Sequence, residues 1–330
     1  MSESVSVVIP CYRSALTLPV LVPRLVSVLR ELNVRYEVIL VVDGSPDDTW
    51  PTAADLAERV EGVRAIHLSR NYGQHNALVA GIREAGSQVV VTMDDDLQHL
   101  PEQIPNLLAA LEGDRLDLVY GVPHVEEHGF LRSFASRSVK ACMSATLGIR
   151  TARKISAFRA FRTHLRDGFA QLSGPHASID VALSWATTRV GSAHVHMNHR
   201  PHGRSNYSLP LLVRHTANMV LGYSAAPLRL ASYLGFLVGL VGLLLGVAVL
   251  WHFATGSTTV AGFTTIASMV ALFSAAQLIA IGVLGEYVGR IHGSGMGHPT
   301  YVIRERVGSA APVGLPRQSS GAGAPARNAP

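Results

Sequence analysis

Gln88–Gln98 reads QVVVTMDDDLQ. The apolar run Val89–Met93, broken only by a threonine, suits a strand buried on both faces, the kind found in parallel sheets. It stops at Asp94-Asp95-Asp96. Carboxylates at i and i+2 of an extended chain project to the same side. Asp94 and Asp96 therefore form a pair, and Gln98 continues the alternation. Oxygen donors of this kind suit Mg²⁺ or Mn²⁺. Taken alone, such a triplet reads more simply as a solvated turn before a helix. Its surroundings decide between the two.

Outward from this stretch, strand and helix patterns alternate. Val5–Pro10 (VSVVIP), Tyr36–Val42 (YEVILVV), Val63–Leu68 and Leu116–Tyr120 read as further strands. Leu18, Leu21, Val22, Leu25 and Leu29 recur at helical spacing. Asp47 or Asp48 can cap a helix running towards Val60. Gln74–Ala85 reads as another helix, and Pro101 suits the first turn of one through Leu111. Repeated strand–helix–strand units predict an α/β fold with an open, mainly parallel sheet covered on both faces. Ligands bind such sheets at the carboxyl ends of the strands. Three of these ends carry polar clusters: Pro10–Arg13, Asp43–Asp48 and Asp94–Gln98. That company favours a site over a plain acidic turn. Asp43 suits a hydrogen bond from a ribose hydroxyl or a base N–H, with an Asp-Gly turn as the plainer reading. Ser69–Gln74 could offer Arg70 to phosphate at a helix start.

The rest of the chain changes character. Phe130–Leu147 reads as a helix with Arg132, Arg137 and Lys140 on a polar face. Leu165–Leu172 and Ile179–Thr187 read as helical, and Val190–Met197 alternates like a strand. His194 and His196 share one face of it, a polar strand face rather than a zinc site. Leu209–Tyr223 is amphipathic and suits a lipid interface. From Leu230 to Gly285 there is no Asp, Glu, Lys or Arg. Leu230–Phe253 and Thr264–Gly285 are each long enough for a membrane span of about 20 residues. Arg214 and Arg229 precede them, Arg290, Arg304 and Arg306 follow, and the loop between carries neither Lys nor Arg. That asymmetry predicts a two-span protein of the cytoplasmic membrane, with both termini and the α/β domain in the cytoplasm. Val307–Pro330, with 17 Gly, Ala, Ser or Pro, reads as a disordered tail.

Charged residues are only 15% of the 330, and the net charge is +5. The charge suits a membrane surface or a phosphate-bearing substrate, and no basic run suggests nucleic acid. Two cysteines, Cys11 and Cys142, read as reduced thiols rather than a disulfide framework. No signal peptide is expected before Val5.

VVIPCY (Val7–Tyr12), VVDGSPDDT (Val41–Thr49), LSRNYGQHNALVAGI (Leu68–Ile82) and MDDDLQHLPEQIP (Met93–Pro105) together resemble family 2 glycosyltransferases. The resemblance is to the polyprenyl-phosphate glycosyltransferase branch. That branch includes dolichol-phosphate mannose synthase, bactoprenol glucosyltransferases and the undecaprenyl-phosphate aminoarabinose transferase. It continues through HRPHGRSNYS (His199–Ser208), LGEYVGRIH (Leu284–His292) and HPTYVIRE (His298–Glu305). It implies a GT-A fold, a Rossmann-like mainly parallel sheet, followed by interfacial helices and a transmembrane hairpin. Pro10, Tyr12, Asp43, Arg70, Asp94 and Asp95 would serve the nucleotide-sugar. Asp94 and Asp96 match the metal-binding DxD pair, with Gln98 as a further contact for Mg²⁺ or Mn²⁺. Arg200 and Arg204 match a basic segment that closes over phosphates; with Asp96 they form the implied catalytic set. Arg132 and Arg137 are the candidates for the lipid phosphate. The chain departs from the family pattern at Arg13-Ser14, His99, Ala157 and Asn206. Ala157 stands where many relatives carry Asp.

The implied organisation is a cytosolic catalytic domain at 1–206, a juxtamembrane amphipathic helix at 207–229 and a hairpin at 230–289. A cytosolic segment at 290–306 and the tail at 307–330 follow. The expected activity is inverting transfer of one hexose-type sugar from a nucleotide diphosphate, UDP before GDP, to a polyprenyl phosphate at the cytoplasmic membrane face. A non-catalytic, membrane-anchored nucleotide-binding scaffold is the alternative. Gly235, Gly239, Gly242 and Gly246 give small-xxx-small spacings that suit either a homo-oligomer or packing of the two spans on each other.

Overall fold

The computed structural model describes residues 4–123, 155–169, 178–198, 226–256, 262–296 and 298–309. The first strands are β1 (Ser4–Cys11), β2 (Arg35–Val42), β3 (Val63–Leu68) and β4 (Val89–Thr92). They pair in parallel in the order β4-β1-β2-β3. Between them lie α1 (Leu18–Glu31), α2 (Thr49–Arg59) and α3 (Gln74–Glu84). After β4 comes α4 (Ile104–Gly113), entered through a single 3-10 turn at Pro101–Gln103.

Both faces of these strands are apolar because both are covered. Val5, Val7, Ile9, Val38, Leu40 and Val42 pack on one side with Leu21, Leu25, Ala53 and Leu107 from α1, α2 and α4. Val8, Ile39 and Val41 pack on the other with Ala77, Val79 and Ile82 of α3. Gly81 lets α3 lie close: an added Cβ would overlap Val8 Cγ1 and come within 2.9 Å of Val41 Cγ2.

The sheet grows by four more strands. β5 (Leu118–Pro123) and β7 (Val190–Val195) are parallel to each other. β6 (Arg159–Arg162) runs antiparallel between β4 and β5. β8 (Ile303–Val307) adds antiparallel to β3, giving the order β7-β5-β6-β4-β1-β2-β3-β8. The sheet is thus mixed, with β6 and β8 opposing the other strands. α5 (Ile179–Ala186) covers β5 and β6 from the α3 side.

Two of these strands differ from the sequence expectation. β6 is only four residues long, in a stretch for which the sequence predicts no strand. β8 lies in the segment expected to stand apart from the domain and reaches one residue into the expected tail. Its residues IRERV place charge on a sheet edge, which discourages pairing with other chains.

α6 (Ala226–Ala254) and α7 (Phe263–Gly295) are the two helices long and apolar enough to cross a membrane among the described residues. They pack on each other at Gly242, where an added Cβ would lie 2.6 Å from the Phe273 ring. Gly235, Gly239 and Gly246 have nothing within 4 Å of that position. α6 begins inside the expected juxtamembrane segment. The helices expected at Phe130–Leu147 and Leu209–Tyr223 lie outside the described residues.

A buried ionic network closes the amino-terminal end of the sheet. Glu37, 1% exposed, accepts from Ser6 Oγ at 2.5 Å, Gly86 N–H at 2.6 Å and Arg64 Nε at 3.1 Å. Arg64 also donates to the Glu84 main-chain carbonyl, and Arg306 of β8 reaches Glu84 Oε1 at 3.0 Å. Removing one partner of a buried pair leaves an uncompensated charge, at a cost of about 3–5 kcal/mol. Glu37→Ala is therefore expected to lower the unfolding midpoint sharply. Arg306→Ala, at a half-exposed pair, should cost less than about 1 kcal/mol. Thermal melts of the two variants in detergent check the contrast.

Candidate active site

The carboxyl ends of β1 to β4 enclose a cleft of about 280 Å³. Pro10, Cys11 and Tyr12 follow β1, Asp43 follows β2, and Asn71, Gly73 and Gln74 follow β3. Asp94, Asp95 and Asp96 follow β4.

Asp43 is 3% exposed, and its two oxygens accept the Tyr72 N–H at 2.7 Å and the Gly73 N–H at 2.8 Å. Burial raises its pKa, and the two N–H groups partly offset that rise. Each oxygen keeps a second lone pair for a ligand. Gly44 sits at φ 54°, and an added Cβ would overlap the Arg70 and Asn71 main chain, 2.7 Å from Arg70 Cα. The Asp-Gly pair is thus a clamp on the loop after β3 as well as a turn.

The loop after β1 is held to its neighbours. Arg13, at φ 59°, donates its N–H to Ser45 Oγ at 2.8 Å, and Ser14 N–H reaches Thr49 Oγ1 at 2.8 Å. Ser45 Oγ and Thr49 Oγ1 both donate to Asp47 Oδ1 at 2.6 Å, so Asp47 organises the start of α2.

The acidic triplet is a loop, not a strand continuation. β4 ends at Thr92, and Leu97 adopts a left-handed conformation at φ 63°. The expected alternation is interrupted at Leu97 and does not carry on to Gln98. Asp95 turns inward, with Oδ2 accepting the Tyr12 N–H at 3.2 Å and the Ser14 hydroxyl. Burial pushes its pKa up to about 6, and the charges of Asp94 and Asp96 add to the rise against the two hydrogen bonds. Asp94 Oδ1 accepts from Gln74 Nε2 at 2.7 Å, and Asp96 Oδ1 accepts the Gln98 N–H at 3.2 Å.

Pro10, Tyr12, Asp43, Asp94, Asp95 and Asp96 therefore meet in one cleft. Two expected residues do not line it. The Arg70 guanidinium lies 4.7 Å from the centroid of the Tyr72 ring, while its neighbours Asn71, Gly73 and Gln74 line the cleft. Gln98 spends its main chain on Asp96 and on the Asn198 N–H, the left-handed Leu97 having broken the alternation. Arg132, Arg137, Arg200 and Arg204 lie outside the described residues.

Sequence reasoning missed Gln74, Asn71, Ser14 and His99 as parts of the site. Gln74 and Asn71 lie in the Ser69–Gln74 segment, where the charge of Arg70 is the stronger signal in sequence. Ser14 and His99 were noted only as departures.

Among the described residues, no three His, Cys, Asp or Glu side chains converge as a metal cage. Two carboxylates on an open cleft still fit a hard cation. Mg²⁺ is commonly held by one or two carboxylates plus substrate phosphates and water.

Residues 6–169 match the family described as Glycosyl transferase family 2. The undecaprenyl-phosphate 4-deoxy-4-formamido-L-arabinose transferase of Proteus mirabilis is 33% identical over 309 residues, 93% of this chain and 94% of that protein. The enzyme of the same name from Yersinia enterocolitica is 32% identical over 94% of this chain and 97% of its own length. The chain belongs to glycosyl transferase family 2, in its polyprenyl-phosphate branch. The fold agrees: a crystal structure of Mycobacterium tuberculosis glucosyl-3-phosphoglycerate synthase superposes with TM-score 0.51 at 19% identity. That match covers 68% of this chain and 80% of that one.

This glycosyltransferase keeps Ala157 beside the cleft floor. The Ala157 carbonyl accepts from Thr92 Oγ1 at 2.7 Å, two residues before Asp94. Arg159, 2% exposed, holds Thr92 Oγ1 at 3.1 Å and pairs with Asp180 of α5. Tyr120 also donates to Asp180, at 3.3 Å, and burial raises its phenol pKa.

Gly44→Ala tests the clamp. A methyl at that position collides with rigid main chain, so the loop after β3 must move and Asn71, Gly73 and Gln74 leave the cleft. Nucleotide binding is expected to fall by at least about tenfold. The unfolding midpoint should drop by less than for Glu37→Ala. Calorimetric titration with UDP and a thermal melt check both.

Proposed function

We propose that this enzyme transfers one sugar, with inversion, from a nucleotide diphosphate to a polyprenyl phosphate at the cytoplasmic membrane face. The observation that carries the reading is the pairing of Asp94 and Asp96 with Asp43 and Tyr12 in one cleft. Nucleoside recognition and diphosphate neutralisation are thereby adjacent. The relatives are named for undecaprenyl phosphate as acceptor and for an arabinose derivative as sugar. A 4-formamido-4-deoxy-pentose therefore joins the hexoses expected from sequence as a donor sugar to test. UDP is the preferred carrier.

The chemistry asks little of a general base. The nucleophile is a phosphate monoester whose second pKa is about 6, so it is largely ionised at neutral pH. One of its oxygens forms a bond to the anomeric carbon as the bond from that carbon to the diphosphate oxygen breaks. In-line displacement inverts the centre. An alanine at position 157 is compatible with this scheme. Tyr12 and Pro10 would flank the base, and the spare lone pairs of Asp43 would take a base N–H or ribose hydroxyl. Asp94 and Asp96 would hold Mg²⁺ or Mn²⁺, which when bound stabilises the departing diphosphate. Arg200 and Arg204 would clasp the diphosphate, and Arg132 and Arg137 the lipid phosphate. Alignment of the two phosphates supplies the remaining acceleration.

The route of the chain supports catalysis at a membrane surface. β7 runs parallel to β5 and so ends on the cleft side of the sheet. β8 enters on that same side, with Ile303 opposite Leu68 and the Val302 carbonyl accepting the Ser69 N–H at 2.9 Å. Only Met296–Val302 separates α7 from β8. Seven residues reach about 25 Å at most. A chain that leaves and re-enters one sheet must cross a bilayer an even number of times. Both ends of the helix pair would then share the domain's side, which the arginine asymmetry also favours.

Nucleotide release in nanodiscs, with polyprenyl phosphate, Mn²⁺ or Mg²⁺ and a panel of UDP- and GDP-sugars, tests the reading. Release should need lipid phosphate and metal. Asp96→Ala should lower it by at least about a hundredfold. Equal release without lipid phosphate would contradict the acceptor, and full activity of Asp96→Ala would contradict the carboxylate pair.

A further inference from the structure

The geometry points to His99 as a positioning residue that fixes Asp94 and ties the acidic loop to the end of β7. The inference rests on the reading that Asp94 and Asp96 take a divalent ion together with the donor diphosphate.

His99 is 7% exposed, and its Nδ1 accepts the Asp94 N–H at 2.9 Å. A ring nitrogen that accepts a hydrogen bond carries no proton, so this bond selects the tautomer protonated at Nε2. The ring stacks on Phe158, with centroids 5.1 Å apart and planes at 16°. Phe158 is fully buried in the lead-in to β6. The main chain of His99 bridges Met197, and the neighbouring Gln98 carbonyl accepts the Asn198 N–H at 2.9 Å. One residue thus joins three pieces of the molecule: the carboxylate loop, the floor at β6 and the end of β7.

The backbone shows why a fastener is needed here. Leu97 sits at φ 63°, unfavourable for a residue with a branched side chain. Such a conformation persists only where its surroundings over-determine it. The contacts of His99 and Gln98 lie directly after this turn and hold it closed. With the Nδ1 acceptor removed, the Asp94 main chain loses the partner that sets where its carboxylate stands. Supporting groups of this kind typically change metal affinity by about 10–100-fold.

Two substitutions separate the hydrogen bond from the packing. His99→Phe keeps the stacked ring and removes the acceptor. His99→Asn keeps an acceptor near the Nδ1 position and removes the ring. The full-length protein in nanodiscs would be titrated with Mn²⁺ at saturating UDP and followed by the electron paramagnetic resonance of free Mn²⁺. UDP binding in EDTA serves as the comparison. His99→Phe is expected to weaken Mn²⁺ binding about tenfold, with UDP binding in EDTA unchanged. His99→Asn is expected to hold Mn²⁺ as the wild type does. Wild-type Mn²⁺ affinity in His99→Phe would overturn the inference. So would equal losses of Mn²⁺ and of metal-free UDP binding in both variants, which would make the ring mere packing. If His99→Phe does not fold, His99→Asn decides, and a tenfold loss there overturns the inference. A wild-type protein that takes up no Mn²⁺ with UDP would overturn the metal reading and this inference with it.

Discussion

The carboxylate of Asp95 is the tie on which the cleft depends. It sits at the middle of the acidic triplet and takes hydrogen bonds from the Tyr12 N–H and the Ser14 hydroxyl. Those bonds join the loop after β1 to the loop after β4. Burying a carboxylate between two others is costly, and its pKa of about 6 records that cost. The hydrogen bonds offset it, and the inward turn leaves Asp94 and Asp96 at the cleft wall. Asp43 does the same work one strand over by holding the Tyr72 and Gly73 N–H groups. Buried Asp43 and half-buried Asp95 thus shape the site that Asp94 and Asp96 are placed to use.

The sheet edges carry a second constraint. β8 returns the chain to β3 after both apolar helices, and it does so on the cleft side. The charges along β8 and the Arg306 contact to Glu84 connect that returning strand to the buried network of Glu37 and Arg64. Stability at the amino-terminal end of the sheet and attachment at the helix pair are therefore linked through one five-residue strand.

Much of this was legible in sequence because period and length carry it. The parallel strands β1 to β5 announced themselves as apolar runs, and the two long helices as charge-free stretches. β6 did not, because four residues reading RAFR have no period. Arg159 can be buried because Asp180, Thr92 and Tyr120 surround it, and those partners come from distant parts of the chain. β8 did not, because its strand partner lies more than two hundred residues earlier. In the site, Pro10, Tyr12, Asp43 and the acidic triplet do line one cleft, but the path of the backbone between them was not legible. Alternation along an extended strand did not carry on to Gln98, since a left-handed Leu97 cannot be seen in a sequence. Arg70 carries the charge that marks this loop in the sequence, whereas its uncharged neighbours Asn71 and Gln74 line the cleft.

The central claim is that Asp94 and Asp96 grip the donor diphosphate through one divalent ion. The most direct test is an anomalous difference map from crystals of the full-length protein grown with UDP and Mn²⁺. The account predicts a single manganese peak between the Asp94 and Asp96 carboxylates and the diphosphate, with the base against Tyr12. UDP seated in the cleft with manganese absent from those carboxylates, or bound elsewhere, would contradict it.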